Sequence, residues 1–278
     1  MTLLWSPPAL CQQITSPVSQ QVYQRQTLLK TLAKTQVIYL GETHDSLQDH
    51  QAQLEIIQAL YQQNPKLAIA LEMFQRPFQP ILDRYVAGQL TEVEFQQQSE
   101  YEQRWGFSWQ LYAPILRFAK QHRLPLLALN TPTEVTRKVA KQGLASLSPP
   151  DLKFIPPVAE IDTSNSAYRA KIREVYEQFH QGKTSSTGFE NFFAAQVLWD
   201  ETMAAAIAQF VQANPGYQVI VLVGQGHLVY GYGIPSRVQR RMAKTNQPFK
   251  QSSILLNPDP ELSQKTTVPV ADYLWSDR

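Results

Sequence analysis

At 278 residues and 43% hydrophobic content, the chain is long enough to bury a sizeable core in one large domain. Its 25 Lys and Arg nearly cancel 23 Asp and Glu, and no dense basic run carries interleaved aromatics, which argues against nucleic acid as a partner. The single cysteine, Cys11, excludes an internal disulfide, a cysteine-rich zinc site and an iron–sulfur cluster held by this chain alone, so any metal falls to histidine and carboxylates.

Cys11 sits where a lipoprotein cysteine would, yet Met1 to Leu10 has no Lys or Arg, is interrupted by Pro7 and Pro8, and places the large Leu10 before the cysteine. The expectation is a free cysteine and a cytoplasmic chain with no recognisable signal peptide or lipobox. No apolar stretch approaches the ~20 residues of a membrane span, so no transmembrane segment is expected. Residues 1–30 read as a polar N-terminal arm and 31–278 as a single domain.

After the arm, Val37 to Leu40 is a short apolar, β-rich run ending at Gly41, as a buried strand would. Asp45 or Ser46 then caps a helix with Leu47, Leu54, Ile57 and Leu60 or Tyr61 at helical spacing, stopped by Asn64-Pro65. A second strand, Leu67 to Leu71, follows at once and completes a βαβ unit with parallel strands. Helices are expected at about Pro77 to Val86, from Glu92, and at Trp109 to Gln121, before a third strand over Leu124 to Leu129. Thr133 caps a further helix, and prolines at 149, 150, 156 and 157 make residues 147–166 loop-like. Amphipathic Ala167 to His180 and the long Phe189 to Val211 read as helices. The clearest strand is Tyr217 to Val223, followed by a helix over Pro235 to Ala243 and a last strand over Ser253 to Leu256. Alternating strands and helices predict an α/β fold, a mostly parallel sheet with helices on both faces and an additional helical segment. Its site belongs at the carboxyl ends of the strands.

Four strand exits carry polar residues: Glu42 and His44, Glu72, Asn130, and His227. Glu42 and His44, two apart, fall on one side of an extended chain. Gly41 and Gly224 each precede a histidine by three, and a turn glycine with a chance histidine explains either motif taken singly. Two of five histidines at the same offset after strand-ending glycines point instead to a shared site. Gln196 and Asp200 lie on the apolar helix at i and i+4, where burial requires polar partners; loop backbone would serve, and so would His44 or His227. Arg76 opens the helix after the second strand, placed to clamp an anion or to pair with Asp83 or Asp49. His50 and His122 read as structural or solvated. Tyr168, Tyr176 and His180 on the charged helix, and Tyr230 and Tyr232 beside His227, are side-chain types able to ligate a haem iron.

Taken in order, Gly41-Glu-Thr-His-Asp45, Leu71-Glu-Met-Phe74 with Arg76, Gln79, Leu82-Asp83 and Tyr85, then Ala128-Leu-Asn-Thr-Pro132, form a specific set. It continues with Gln196, Asp200, Met203-Ala204 and Val223-Gly-Gln-Gly-His227, and with Tyr230-Gly231 and Ile234-Pro235. The set resembles the ChaN-like haem-binding proteins of the Tiki and erythromycin-esterase superfamily, from about residue 36 to 243. The resemblance implies an α/β fold and one of two activities. ChaN-like members bind haem in iron acquisition, as lipoproteins in which a tyrosine can ligate the iron and haems can lie at a dimer interface; a homodimer is the corresponding expectation here. The missing lipoprotein signal departs from that pattern. Tiki-like relatives carry out metal-dependent hydrolysis, and the esterase branch activates water with histidine and glutamate. Carried over by position, Glu42, His44, Glu72 and His227 form the site in either enzymatic case. In the metal-dependent version His44, Glu72 and His227 hold a divalent ion such as Mn, Co or Zn, and Glu42 is the general base on its water. In the binding version the ligand is haem or another small molecule.

Overall fold

The computed structural model describes residues 12–180, 186–245, 247–263 and 267–277. Cys11 and the segment before it lie outside the described residues, and so does the side chain of His180. The N-terminal arm expected over residues 1–30 is structured from Gln12 onward. Strands β1 (Gln12–Ser16) and β2 (Gln21–Tyr23) pair antiparallel, and helix α1 (Arg25–Leu32) buries Leu28, Leu29 and Leu32. The arm reads as polar because β2 and one side of β1 face solvent, leaving only Ile14 and Ser16 buried in β1.

From there the chain follows the predicted alternation. Strand β3 (Val37–Glu42) leads to helix α2 (Leu47–Gln63), whose N-terminus is capped by Ser46 accepting the Asp49 N–H. Strand β4 (Leu67–Gln75) is followed by α3 (Gln79–Val86), α4 (Glu92–Gln98), the short α5 (Tyr101–Arg104) and α6 (Trp109–His122). Then come β5 (Leu126–Asn130), α7 (Thr133–Gln142), α8 (Ser166–His180), α9 (Ser186–Ala213), β6 (Gln218–Gly224), α10 (Ile234–Met242), β7 (Gln251–Leu256) and β8 (Tyr273–Asp277). The proline-rich residues 147–166 carry 3-10 turns at Pro149–Phe154 and Val158–Glu160.

The strands form one sheet in the order β2-β1-β8-β7-β3-β6-β4-β5. Only β1 pairs antiparallel; the ladders from β8 to β5 are parallel. Strands β3, β4 and β6 are buried at every position, as expected for parallel strands covered on both faces. Alternate side chains supply two cores. Ile38, Leu40, Ile69 and Leu71 pack with Leu28 of α1, Ile56 and Leu60 of α2, and Leu116 of α6. Val37, Tyr39, Val219 and Val221 pack with Ile207 of α9 and Val238 of α10. A third cluster joins α7, α8 and the first half of α9 through Val139, Tyr168, Phe189 and Phe193. This is the additional helical segment, and it roofs the carboxyl edge of the sheet. Among the described residues, no helix is long and apolar enough to cross a membrane.

Candidate functional site

Register decides which residues meet. Glu42 of β3 lies opposite Gly224 of β6, and Leu71 of β4 opposite Leu222, so Glu42, Glu72 and Gly224 leave the sheet side by side. Past Leu71 the β4–β5 ladder slips before Gln75 pairs with Asn130. The side-chain amide of Asn130 donates to the Glu72 carbonyl at 3.0 Å, fixing the exit of β4.

Glu42 and His44 form the first half of the site. The carboxylate of Glu42 is buried and faces away from the opening, where Oε1 accepts the Tyr112 hydroxyl at 2.6 Å and Oε2 the Gln53 amide at 2.6 Å. The His44 Nδ1–H donates to Glu42 Oε1 at 3.0 Å, which leaves Nε2 pointing away from Glu42. The ring is held between Trp105 and Phe107, with centroids 4.8 and 4.9 Å away. His50, a residue the sequence reads as structural or solvated, is buried and reaches the His44 carbonyl through Nε2 at 3.0 Å. Gln53, His50 and Tyr112 are missing from the sequence-derived site. Gln53 left one signal, a polar residue four positions before Ile57 on the buried stripe of α2.

His227, Asp200 and Glu72 form the second half. Asp200 is fully buried on α9, and its Oδ1 accepts the His227 Nδ1–H at 2.6 Å while Oδ2 accepts the Tyr168 hydroxyl at 2.6 Å. The Gln196 amide lies 3.2 Å from the same His227 nitrogen. The other nitrogen, Nε2, meets Glu72 Oε1 at 3.3 Å, and Glu72 Oε2 accepts the Gly224 N–H at 2.7 Å. Two imidazoles, each backed by its own carboxylate, therefore stand on either side of Glu72.

Charge is balanced locally. For Glu72, burial disfavours the ionised form, but the charge and hydrogen bond of His227, the charge of His44 and the Gly224 N–H outweigh it and hold the pKa below its usual value. Burial likewise opposes charge on His227, yet the Glu72 charge and the Asp200 hydrogen bond push its pKa up to about 10. At His44 burial again pulls downward, and the Glu42 hydrogen bond with the charges of Glu72 and Glu42 raises the pKa overall.

The halves meet at a cavity of about 510 Å³, within the size range of small-molecule sites. It is lined by the polar His44, Glu72, Gln196 and His227 and by the aromatic Trp105, Phe107, Phe192 and Trp199, and Arg104 and Arg137 are also at its wall. Neither the aromatic wall nor the arginines carry a sequence signal, because α5, α7 and α9 bring them together from distant segments.

Gly224 has no room for a side chain. A Cβ there would stand 2.8 Å from His44 Cε1 and 2.9 Å from Nε2. Gly224→Ala is expected to displace the His44 ring and shift its NMR titration, with loss of the His44–Glu42 hydrogen bond.

Other sequence-derived candidates lie elsewhere. Arg76 opens the 3-10 turn after β4, half-buried, with its pKa lowered by burial. It does not pair with Asp83, which accepts from Gln79, or with Asp49, which serves the Thr43 N–H and Asn257. Tyr176 is buried against Phe189 and Phe192. Tyr230, in the left-handed region at φ 60°, lines a different cavity of about 420 Å³ that includes Tyr39 and Asp272 and, among the described residues, has no Lys or Arg in its wall. Tyr232 packs on Tyr168 and Tyr230.

The donor set does not suit the divalent ion expected of His44, Glu72 and His227. Both oxygens of Glu72 are engaged, one by the Gly224 N–H and the other by His227 Nε2, while His227 Nδ1 is held by Asp200. No group of three His, Cys, Asp or Glu among the described residues could hold a metal ion. Glu42 is likewise turned from the role of base on bound water, since it reaches the cavity only through His44.

Comparison with known proteins places this geometry in context. A family model described as haem-binding uptake, Tiki superfamily, ChaN matches residues 28–238. The chain is 28% identical over 258 residues to Protein RETICULATA-RELATED 5, chloroplastic, of Arabidopsis thaliana, covering 88% of this chain and 34% of that protein. It thus spans about a third of that relative's length. Among solved structures, ChaN of Campylobacter jejuni, described with cofacial heme binding, superposes with a TM-score of 0.75 at 17% identity, covering 95% of this chain and 96% of that one. A mutant of the erythromycin esterase EreC in its open conformation gives a TM-score of 0.50 at 15% identity, over 88% and 76%. At these identities the two structures show a shared α/β fold.

Proposed function

The chain belongs to the haem-binding uptake, Tiki superfamily, ChaN family, and from that premise we propose that it is a hydrolase whose own imidazoles and carboxylates activate water. One observation carries this reading: two carboxylate-backed histidines converge on an ionised Glu72 at the wall of a small-molecule cavity. Because Nδ1 of His44 donates to Glu42, the neutral ring presents Nε2 as a base. His44 takes a proton from water as the oxygen attacks an ester or amide carbonyl. His227, held charged by Asp200 and Glu72, donates from Nε2 to the leaving group. Glu72 holds the His227 ring and compensates the charge of both rings. The general-acid–base part of such a site contributes about 10²–10⁴-fold to the rate.

The sign of the pH dependence follows from the two shifts. His44 works when neutral, so the rate rises with pH through a pKa lying above 6.5; His227 works when charged, so the rate falls as pH passes about 10. A kcat/KM profile with a small aryl ester is expected to be bell-shaped with an alkaline optimum below about 10. A profile flat across this range, or no ester or amide turnover, overturns the reading.

A second reading, haem binding, is supported by the family description and by the cavity's aromatic wall beside two arginines and an imidazole. Of the two cavities this one fits haem better, since among the described residues the wall containing Tyr230 offers no cation to the propionates. His44 Nε2 would hold the iron, Arg104 and Arg137 would face the carboxylates, and the group would supply an iron centre for carriage. Haemin titration is then expected to give a shifted Soret band that His44→Ala abolishes; no shift at micromolar haemin removes this reading.

A further inference from the structure

Several groups in the wall of the cavity have no part in activating water. Thr131, at the exit of β5, is 1% exposed, and its Oγ1 is buried with no hydrogen-bond partner. The Oδ1 of Asn130 is also buried and unpartnered, although its amide nitrogen is used on the Glu72 carbonyl. Both residues line the cavity. Buried polar atoms are almost always satisfied, so two unsatisfied ones at a cavity wall mark where a bound molecule places polar groups. Asn130 Oδ1 only accepts, which requires an N–H or O–H from that molecule.

The charged groups of the wall separate in the same way. Arg104 is committed to Glu100 and Glu134, and its Nη1 also donates to Gln75. Arg137, one turn along α7 from Thr133, is exposed and has no carboxylate within ion-pair distance among the described residues. An uncommitted guanidinium at a cavity wall is suited to a carboxylate or phosphate, which it can grip through two parallel N–H donors. Beside the histidines, Trp105 and Phe107 at His44 and Trp199 at His227, with Phe192, offer flat apolar surface.

We propose that the substrate class of this cavity is the N-acyl amino acids, with a flat apolar acyl group. The acyl group lies on the aromatic wall, the amide N–H donates to Asn130 Oδ1, and the carboxylate is held by Arg137. The assignment rests on the hydrolytic reading above for its chemistry. One water adds to the amide carbonyl carbon, its proton passing to His44 Nε2. The C–N bond then breaks and the amine nitrogen takes a proton from His227 Nε2. The products are a carboxylic acid and a free amino acid, and transfer of the proton from His44 to His227 restores the site. The cavity of about 510 Å³ limits the substrate to a small molecule.

Binding is measurable by quenching of tryptophan fluorescence, since Trp105 and Trp199 line the cavity. The probes are N-naphthoylglycine, its uncharged glycinamide and N-acetylglycine. The naphthoyl acid is expected to bind roughly tenfold or more tightly than the amide, and Arg137→Gln to bring its Kd to the level of the amide. Equal Kd values for acid and amide in the unaltered protein, or an acid affinity untouched by Arg137→Gln, overturn the assignment of Arg137. N-acetylglycine binding as tightly as the naphthoyl acid overturns that of the aromatic wall. Glycine release, followed with an amine reagent, is read separately. Release of glycine supports both readings, whereas the expected binding pattern without release supports the ligand class and overturns the hydrolytic reading.

Discussion

His44→Ala is expected to lower kcat for ester or amide hydrolysis by about 10²–10⁴-fold while leaving the fold intact. The side chain is 26% exposed, so its removal opens the cavity wall without burying an uncompensated group in the core. The carboxylate of Glu42 behind it keeps the Tyr112 hydroxyl and the Gln53 amide, and its charge is redistributed over donors that remain. KM is expected to change far less than kcat, because the lost interaction is made with the attacking water and not with the substrate. Added imidazole occupying the vacated space is expected to restore part of the rate. A variant retaining activity within severalfold of the unaltered protein, with an unchanged pH profile, would falsify the assignment of His44 as base.

Asp200→Ala is expected to have the largest effect on stability, about 3–5 kcal/mol, the usual cost of removing one partner of a buried ion pair. Asp200 is 0% exposed and holds both the His227 ring and the Tyr168 hydroxyl, so its loss removes the carboxylate acceptor of the His227 Nδ1–H and of a buried phenol at once. Denaturant unfolding followed by far-ultraviolet circular dichroism measures the loss. The pH dependence identifies its origin. Folding raises the His227 pKa from 6.5 to about 10, so the group's contribution is fully present below 6.5 and lost as pH rises through about 10. Stability of the unaltered protein should therefore fall over that window, and the fall should be smaller in Asp200→Asn. A difference between the two proteins that stays constant from pH 6.5 to about 10 would show that Asp200 serves packing alone.

Residues whose neighbours are near in sequence, or which sit at strand exits, were legible from the chain alone. Val37 to Leu40 and Tyr217 to Val223 announce buried parallel strands because every position is apolar and the run is short, and the structure extends them to Glu42 and Gly224. Parallel strands buried on both faces also imply a common carboxyl edge, which is why Glu42, His44, Glu72, Asn130 and His227 could be collected without coordinates. Strand β8, α1 and the β1–β2 pair had no such signal. They are short and half-exposed, and β1 joins the sheet only through β8, an antiparallel pairing between residues more than 250 apart in which Ile14 faces Trp275.

The sequence by itself determined the parallel strands β3 to β7, the rim and the identity of the residues on it, because periodicity and strand-ending glycines are local properties of the chain. Only the tertiary structure decided what those residues do. Orientation at the rim depends on register and on side chains delivered by helices: Gln53 of α2 and Tyr112 of α6 turn Glu42 inward, so that it backs His44 instead of facing the cavity. Asp200 meets His227, and not His44, because α9 crosses the face of the sheet that packs on α10. The protonation of the site follows from that placement, since charges spaced this closely in a buried setting fix one another's pKa, and no spacing in the chain encodes their separation.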